Sequence, residues 1–312
     1  MKIFVAGSTG ALGRSVIPQL VAAGHDVVGM TRSADKRETV RALGARPVVA
    51  DGLDADAVAQ AVAEAEPEVI VHQLTALSGG WDMRRIDRVF AETNRLRTEG
   101  LDHLLAAGQA VGAKRFVAQS YAGWPYARTG GPVKDESDPL DPDPPARLRD
   151  ALHAIKHVED TVPSIEWGDG IVLRYGGFYG PGTGAGGEEM IAPVRKRQFP
   201  VIGNGNGVWS FVHVDDAAAA TVAAIERGEP GLYNVVDDEP ARVHDWLPGL
   251  AKALHAKPPR RVPRWLGRLL AGDAGVVMMT EVRGASNAKA KRELRWQPRY
   301  PNWHVGFAEG LG

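Results

Sequence analysis

Short runs of β-branched and other apolar residues alternate along the first half of the chain with longer segments whose apolar residues recur every three to four positions. The short runs are typical of buried strands, and the longer segments of amphipathic helices. The pattern predicts strands at residues 3–6, 26–30, 46–50, 68–72, 115–120 and 170–175, and helices at 10–23, 54–65, 82–112 and 146–161. Strands that alternate with helices form parallel sheets covered on both faces. We therefore expect an α/β fold with a doubly wound parallel sheet.

The regular alternation is lost in two places. Residues 123–145 are rich in glycine, proline and aspartate, which sustain neither helix nor strand. Beyond residue 175 the pattern loosens, and a glycine-rich stretch leads into shorter elements. We predict a first domain and a smaller C-terminal lobe, with the boundaries 1–175 plus 208–236 for the domain, and 176–207 plus 237–312 for the lobe.

Composition and charge narrow the possible partners. The 312 residues carry a net charge of -1 and include no cysteine. The near-neutral charge argues against nucleic acid as a partner, and the lack of cysteine excludes disulfides and thiolate metal sites. No stretch approaches the roughly 20 apolar residues that span a bilayer. We expect a cytoplasmic protein whose partner is a small molecule, without a membrane or a bound metal. His213 stands near Asp215 and Asp216, but the sequence brings no further ligand to them.

A glycine-rich turn joins the first predicted strand to the first predicted helix. Its glycines have the spacing Gly-x-x-Gly-x-x-Gly. In this context Gly7 permits the tight turn, Gly10 lets the backbone approach a phosphate, and Gly13 lets the helix pack close to the strand. Unpaired N–H groups at the helix N-terminus would then face the phosphates. We predict that the turn holds the pyrophosphate of a nicotinamide dinucleotide, as in Rossmann folds, through Gly7, Ser8, Thr9, Gly10, Ala11, Leu12 and Gly13.

The end of the second strand indicates which dinucleotide is preferred. It reads Thr31, Arg32, Ser33, and no carboxylate appears before Asp35. An acidic residue here would bind the ribose of NAD, whereas a guanidinium and hydroxyls suit the 2′-phosphate of NADP. We therefore expect NADP rather than NAD, although a solvated Arg32 is the alternative. Asp51, after the third strand, is either an adenine contact, or a loop residue or helix N-cap.

Several segments together resemble the extended short-chain dehydrogenases/reductases of the NAD(P)-dependent epimerase/dehydratase type. The matching segments are the glycine turn and residues 93–94, 114–120, 172–182, 211–216, 233–235 and 290–298. The resemblance covers nearly the whole chain and implies a Rossmann domain with a C-terminal substrate-binding lobe. It also implies further cofactor contacts at Asp51, Gly52, Leu53, Gln73, Leu74, Thr75, Asn94, Lys156, Tyr175 and Phe178. A homodimer formed through the helices at 82–112 and 146–161 is also possible.

The resemblance breaks down at the position of the catalytic tyrosine. The family uses a Tyr-x-x-x-Lys pair, in which the tyrosine transfers a proton and the lysine lowers its pKa and holds the nicotinamide ribose. Lys156 matches the lysine, but Leu152 stands where the tyrosine would be, and leucine transfers no proton. The family's Ser/Thr position falls on Ser120 or, by count, on Tyr121. Our hypothesis is that Tyr121, or Ser120 with water, supplies the proton; the alternative is that Tyr121 is only a pocket wall.

The substrate pocket is predicted to be apolar. Nucleotide-sugar members of the family carry an arginine just before the segment at 211–216, and here the position is Trp209, which forms no bidentate phosphate contact. Tryptophan, tyrosine and methionine residues recur in the segments expected to line the cleft. The predicted pocket residues are Trp81, Trp124, Tyr126, Tyr179, Trp209, Met278 and Met279.

These features together predict an NADP(H)-dependent oxidoreductase that interconverts a carbonyl and an alcohol on a small, largely apolar metabolite, with a non-standard proton donor. Two alternatives stay open. One is an epimerase or dehydratase that restores its cofactor in each turnover. The other is a non-catalytic NADP(H)-binding protein that acts as a sensor.

Overall fold

The strands of the central sheet are all parallel. The computed structural model describes residues 1–77, 82–183 and 188–311. Its strands, in chain order, are β1 Lys2–Ala6, β2 Asp26–Thr31, β3 Arg46–Val49, β4 Val69–His72, β5 Arg115–Tyr121, β6 Val133–Lys134, β7 Asp169–Tyr175, β8 Gly177–Tyr179, β9 Val201–Ile202, β10 Val208–Trp209, β11 Phe211–His213, β12 Gly231–Val235, β13 Ala241–Arg242, β14 Arg261–Val262 and β15 Gly284–Ala285. Seven of them form one sheet in the order β12-β7-β5-β4-β1-β2-β3. The strand order reverses between β1 and β4, where doubly wound sheets bind their ligands.

Helices cover both faces of this sheet. They are α1 Ala11–Ala22, α2 Arg37–Ala42, α3 Ala55–Ala65, α4 Ile86–Arg97, α5 Glu99–Ala110, α6 Arg149–Thr161, α7 Glu188–Arg195, α8 Val214–Arg227, α9 Val243–Ala253, α10 Arg264–Thr280, α11 Ala288–Glu293 and α12 Trp303–Glu309. Alternate residues of β1 point to opposite faces. Ile3 and Val5 pack with α1 and α8, and Phe4 packs with α3 and α5. This two-sided burial confirms the expected doubly wound sheet.

One predicted helix differs in the structure. Residues 82–112 were expected to form a single helix, but Thr98 separates α4 from α5, with φ -103° and ψ -84°. The Thr98 hydroxyl donates to the carbonyl of Asn94 at 3.1 Å. A threonine that bonds back to the preceding turn competes with the helical backbone and bends the chain. The break redirects the C-terminal end of α4, which carries Arg97.

The C-terminal elements have an apolar core of their own. Trp246 and Leu250 of α9 pack there with Phe307 of α12. A further apolar cluster joins α4, α6 and α10, and contains Phe90, Leu152 and residues of the loop after β5. Within the described ranges, no helix has the length and apolar character needed to cross a membrane. The same ranges contain no group of three or more histidine, aspartate or glutamate side chains placed to hold a metal ion.

Candidate functional site

The turn between β1 and α1 has no room for side chains at its first and last glycines. Gly7 has φ +97°, and a Cβ atom there would lie 2.5 Å from the carbonyl oxygen of Gln73. A Cβ atom on Gly13 would lie 2.3 Å from the carbonyl oxygen of Gly7. The buried Ser8 hydroxyl donates to the carbonyl of Met30 at 2.8 Å and so ties the turn to β2. Strand, turn and helix are therefore in contact along the backbone itself.

The start of α1 is open to an anionic ligand. Gly10 is the N-cap and brings no side chain to cap the helix. The first-turn N–H groups, with the positive end of the helix dipole, therefore face the crevice where the strand order reverses. Nearby, the buried atoms Oε1 of Gln73 and Oδ1 of Asn94 have no hydrogen-bond partner. Orphaned buried polar atoms are rare in native proteins unless a ligand or water meets them. These groups fit a dinucleotide, which the turn, Gln73 and Asn94 would hold.

The residues after β2 and β3 lie at the edge of the same crevice. Arg32 forms an ion pair with Glu92 of α4, and its side chain is 66% exposed. The Ser33 hydroxyl donates to Asp35, and Thr31 is buried. Asp51 accepts a hydrogen bond from the backbone N–H of Leu53 at 3.0 Å. The N-cap of α3 is Asp54, so the alternative role of Asp51 as N-cap is wrong.

The residues that follow β4 continue the crevice. Leu74 donates its backbone N–H to the buried His72, and its carbonyl accepts from the Gln119 side chain at 3.0 Å. Thr75 is exposed. A Cβ atom on Gly52 would lie 2.6 Å from the Leu74 side chain, so the loop after β3 packs directly on the end of β4.

Lys156 and Leu152 lie one turn apart on α6 and have different surroundings. Lys156 is exposed and, among the described residues, makes no hydrogen bond or ion pair. Leu152 is 8% exposed and packs in the apolar cluster with Tyr121 and Trp124. The helix therefore presents an exposed ammonium group without a partner among the described residues, and a buried apolar side chain one turn before it.

Ser120 belongs to a buried network of charged and polar groups. Its hydroxyl donates to Glu159 at 2.6 Å. Arg174 donates to both oxygens of Glu159, at 2.7 and 2.6 Å, and also to the Tyr126 hydroxyl at 3.0 Å. Tyr126 in turn donates to Asn234 at 2.6 Å. The Ser120 proton is thus held by the buried Glu159 carboxylate, which favours Tyr121 over Ser120 as the group that faces a substrate.

Tyr121 lines a small cavity. Apolar and aromatic side chains of α4, α10, the segment between β4 and α4, the loop after β5 and the turn before α6 surround it: Leu77, Met83, Ile86, Phe90, Trp124, Leu148 and Met278. Burial raises the pKa of Tyr121 to about 12, although the nearby Arg97 lowers it. The phenol is therefore neutral at physiological pH. Arg97 is the charged residue in this cavity wall, and it is not among the residues predicted from the sequence.

Of the predicted pocket residues, Trp124 and Met278 line the cavity. Tyr126 instead belongs to the Arg174 network, and Tyr179 is buried against His213 and Phe307 in the C-terminal core. Met279 is buried in the same core. These three residues do not line the cavity beside Tyr121, and their role in a substrate pocket stays a prediction. Trp81 lies outside the described residues.

Trp209 and Tyr175, two further residues predicted to contact substrate or cofactor, both pack against aromatic rings. Trp209 stacks on Trp246 with ring centroids 4.9 Å apart, and its indole N–H donates to the Met278 carbonyl at 2.8 Å. It therefore links the C-terminal core to the cavity wall and does not line the cavity. Tyr175 is buried, with its hydroxyl bonded to Thr221 at 2.7 Å. Its ring packs against Phe178, which is partly exposed, and its contact with the cofactor stays a prediction.

Arg97 and Glu159 carry a signal in the sequence that could have revealed them. Arg97 follows Ile86, Phe90 and Thr93 at spacings of four, three and four, so it lies on the buried face of α4. Glu159 similarly continues the buried positions of Leu152 and Ile155 on α6. A charged residue in phase with an apolar helix face indicates a buried polar site.

Comparison with known proteins places this site in a family. The model of the NAD dependent epimerase/dehydratase family matches residues 3–235. A 3-diazoavenalumate denitrifying reductase from a Streptomyces species is 44% identical over 98% of this chain and 99% of its own length. A 4-hydroxy-2-methyl-3-oxo-4-farnesyl-3,4-dihydroquinoline-1-oxide ketoreductase from Stigmatella aurantiaca is 28% identical over 79% of this chain and 71% of its own.

The fold has solved counterparts. The UDP-glucose 4-epimerase of Thermotoga maritima, solved with UDP-glucose, superposes with a TM-score of 0.78. It is 21% identical, over 100% of this chain and 97% of that one. With a family model over most of the chain and a reductase relative over nearly all of it, the protein belongs to the NAD dependent epimerase/dehydratase family and is an NAD(P)-dependent enzyme of the oxidoreductase/epimerase type.

Proposed function

We propose that the protein is an NADPH-dependent reductase of a small, largely apolar substrate, and that its reaction needs no proton from the usual tyrosine position. The observation that supports this most directly is Leu152, buried one helical turn from Lys156, which is exposed and unpaired among the described residues. When bound, the cofactor supplies a hydride. Lys156 would hold the nicotinamide ribose, and the cavity beside Tyr121 would hold the substrate.

The side chains that could donate or accept a proton in this site favour reduction over oxidation. Oxidation of an alcohol needs a base, and the neutral Tyr121 phenol, with its pKa raised to about 12 by burial, is not one at physiological pH. The Ser120 hydroxyl donates to Glu159 and is not free. Reduction needs no base. The group that accepts the hydride needs at most a proton, which a neutral phenol or water can donate.

A diazonium carbon is the hydride acceptor that best suits a site without the usual proton donor. The name of the Streptomyces relative describes a diazo compound and the removal of its nitrogen. In such a reaction R–N2⁺ accepts a hydride at carbon, the C–N bond breaks with its electron pair leaving on N2, and R–H results. Charge and atoms balance without a proton. Leucine at position 152 is compatible with this chemistry, whereas a ketone reductase would lose its proton donor there.

A carbonyl acceptor is the second candidate, and Tyr121 favours it. The alkoxide formed by hydride addition must be protonated, and the Tyr121 phenol in the cavity wall is an acid strong enough to do so. The Stigmatella relative is a ketoreductase by name. The two candidates share the cofactor and the cavity, and they differ in whether the Tyr121 hydroxyl is needed.

The direct test follows NADPH absorbance with small aryl diazonium salts and matching aryl ketones, each with and without a carboxylate. We expect enzyme-dependent oxidation of one NADPH for each diazonium, with release of N2 and transfer of deuterium from labelled NADPH to the aryl carbon. Net oxidation with ketones alone would support the second candidate. Substrate conversion without net NADPH consumption would indicate an epimerase or dehydratase. Tight NADPH binding without any turnover would indicate the non-catalytic protein.

Replacing Tyr121 by phenylalanine separates the two acceptors. For a diazonium we expect kcat to change by less than about threefold, because no proton is transferred. For a ketone, loss of a general acid would lower kcat by about 100-fold or more. The comparison uses the same NADPH assay for both variants, and Tm is recorded for each to exclude a folding defect. A 100-fold loss with the diazonium salt would contradict the proposal.

We further propose that Arg32 selects NADP over NAD. Its exposed ion pair with Glu92 is of the kind that contributes little, so the guanidinium is available to a 2′-phosphate. Replacing Arg32 by glutamine should raise KM for NADPH about 10- to 100-fold, because charge-assisted bonds to the phosphate are lost, and should leave KM for NADH nearly unchanged. Steady-state kinetics with both cofactors measures the ratio.

Glu92→Gln is the matched control for this prediction. It removes the carboxylate that competes for Arg32 and repels the phosphate, so KM for NADPH should fall or stay the same. An Arg32→Gln variant that keeps its preference for NADPH would show that other residues select the cofactor.

A further inference from the structure

Arg97 is a buried cation without a partner among the described residues. Its side chain lies at the C-terminal end of α4 and is 4% exposed. Within the described part of the chain it makes no hydrogen bond or ion pair, and its Nε is fully buried and unsatisfied. Native proteins rarely leave a charge in this state, because removal from water costs several kcal/mol unless a counter-charge meets it.

The nearest acidic side chain is already used. Glu159 accepts two hydrogen bonds from Arg174 and one from Ser120. Burial lowers the pKa of Arg97 to about 10, although the field of Glu159 raises it. The guanidinium therefore stays charged at neutral pH. Arg174 is a contrasting buried arginine with a structural role, because its hydrogen-bond partners Glu159 and Tyr126 belong to the chain itself.

The surroundings of Arg97 limit the ligand that would meet it. It lines the same cavity as Phe90, Tyr121 and Trp124, whose side chains offer flat, apolar surface. A phosphate would need donors for three oxygens, and a cavity walled mainly by apolar groups does not supply them. A carboxylate has two oxygens that match the parallel N–H groups of one guanidinium.

We propose that Arg97 is a substrate-binding residue that pairs with the carboxylate of a planar aromatic or conjugated acid, whose apolar body lies against Phe90, Tyr121 and Trp124. The inference rests on the proposed function in that it takes this cavity as the substrate site. It adds the charge of the substrate and the end by which it is held. The carboxylate would be the partner that Arg97 lacks among the described residues.

Calorimetry with two isosteric probes tests the proposal without any turnover. The NADP⁺-loaded protein is titrated with cinnamate and with cinnamamide. We expect cinnamate to bind about 10- to 100-fold more tightly, since only the carboxylate forms charge-assisted bonds with the guanidinium. Arg97→Met should abolish this difference, and Arg97→Lys should retain part of it. Equal affinities of the two probes, or no binding of cinnamate to the wild type, would overturn the proposal.

Stability and cofactor affinity separate this role from a structural one. Because Arg97 has no partner to lose, Arg97→Met should leave Tm unchanged or raise it, whereas Arg174→Met should lower Tm clearly. The Kd for NADPH should be the same in Arg97→Met and the wild type. A fall in Tm like that of Arg174→Met, or weaker NADPH binding, would overturn the assignment. Binding without NADPH oxidation would leave this proposal standing while the reductase proposal fails.

Discussion

Glu159→Gln is expected to lower the free energy of unfolding by about 3–5 kcal/mol, because it leaves the Arg174 guanidinium charged and uncompensated inside the protein. The side chains of Glu159 and Arg174 are each 5% exposed and meet through two short hydrogen bonds. Such a loss is a large part of the stability of a typical domain. Chemical denaturation, compared by midpoint and slope with the wild type, measures it.

Two further variants make this prediction specific. Glu99→Gln removes the carboxylate of the Arg95–Glu99 pair, whose side chains are about half exposed, and should change stability little. The double variant Glu159→Leu with Arg174→Met replaces both charges by apolar groups and should regain much of the loss. Equal stability of Glu159→Gln and Glu99→Gln would show that the buried pair contributes no more than the exposed one.

The parallel sheet could be predicted from the sequence because each strand and helix has a local periodicity. The strand β5 begins at Arg115, where its apolar pattern begins. The helix α3 ends at Ala65, where its apolar pattern ends. The break at Thr98 could not, since a threonine is tolerated within many helices and only its bond to Asn94 shows that the chain turns there. The glycine turn was predictable because Gly7 and Gly13 occupy positions that no other residue fits.

The cavity beside Tyr121 was less predictable because its walls come from distant segments. Tyr121 is the last residue of β5, Phe90 lies on α4 and Met278 on α10. Residue type indicated an apolar pocket, but not which aromatic residues face it, and Tyr179 proved to be core. Arg97 was overlooked because arginine on a helix is usually solvated, although its phase on α4 pointed inward.

The proposed function gives Lys156 a role at the cofactor without the phenol that the family's lysine normally serves. In the family the lysine acts on the tyrosine and on the cofactor, and the proposal assigns Lys156 only the second role, because Leu152 has no proton to transfer. The free ammonium group of Lys156 therefore becomes the most informative side chain for the catalytic proposal.

Replacing Lys156 by methionine should lower kcat/KM for NADPH-dependent reduction by about 100-fold or more, because the ribose contact and a fixed positive charge at the reaction site are lost together. The ammonium group is exposed and unpaired among the described residues, so Tm should stay within about a degree of the wild type. Steady-state kinetics and thermal unfolding on the same preparation measure both.

His153→Ala is the matched control, since His153 is exposed on the same helix one turn from Lys156 and should not affect turnover. Lys156→Arg should recover part of the activity if the positive charge matters more than the shape of the ammonium group. Wild-type turnover in Lys156→Met would mean that the lysine has lost its role along with the tyrosine. A marked fall in Tm that accompanies the loss of activity would instead assign Lys156 to the fold. A residue that acts only on the cofactor changes the rate and not the stability.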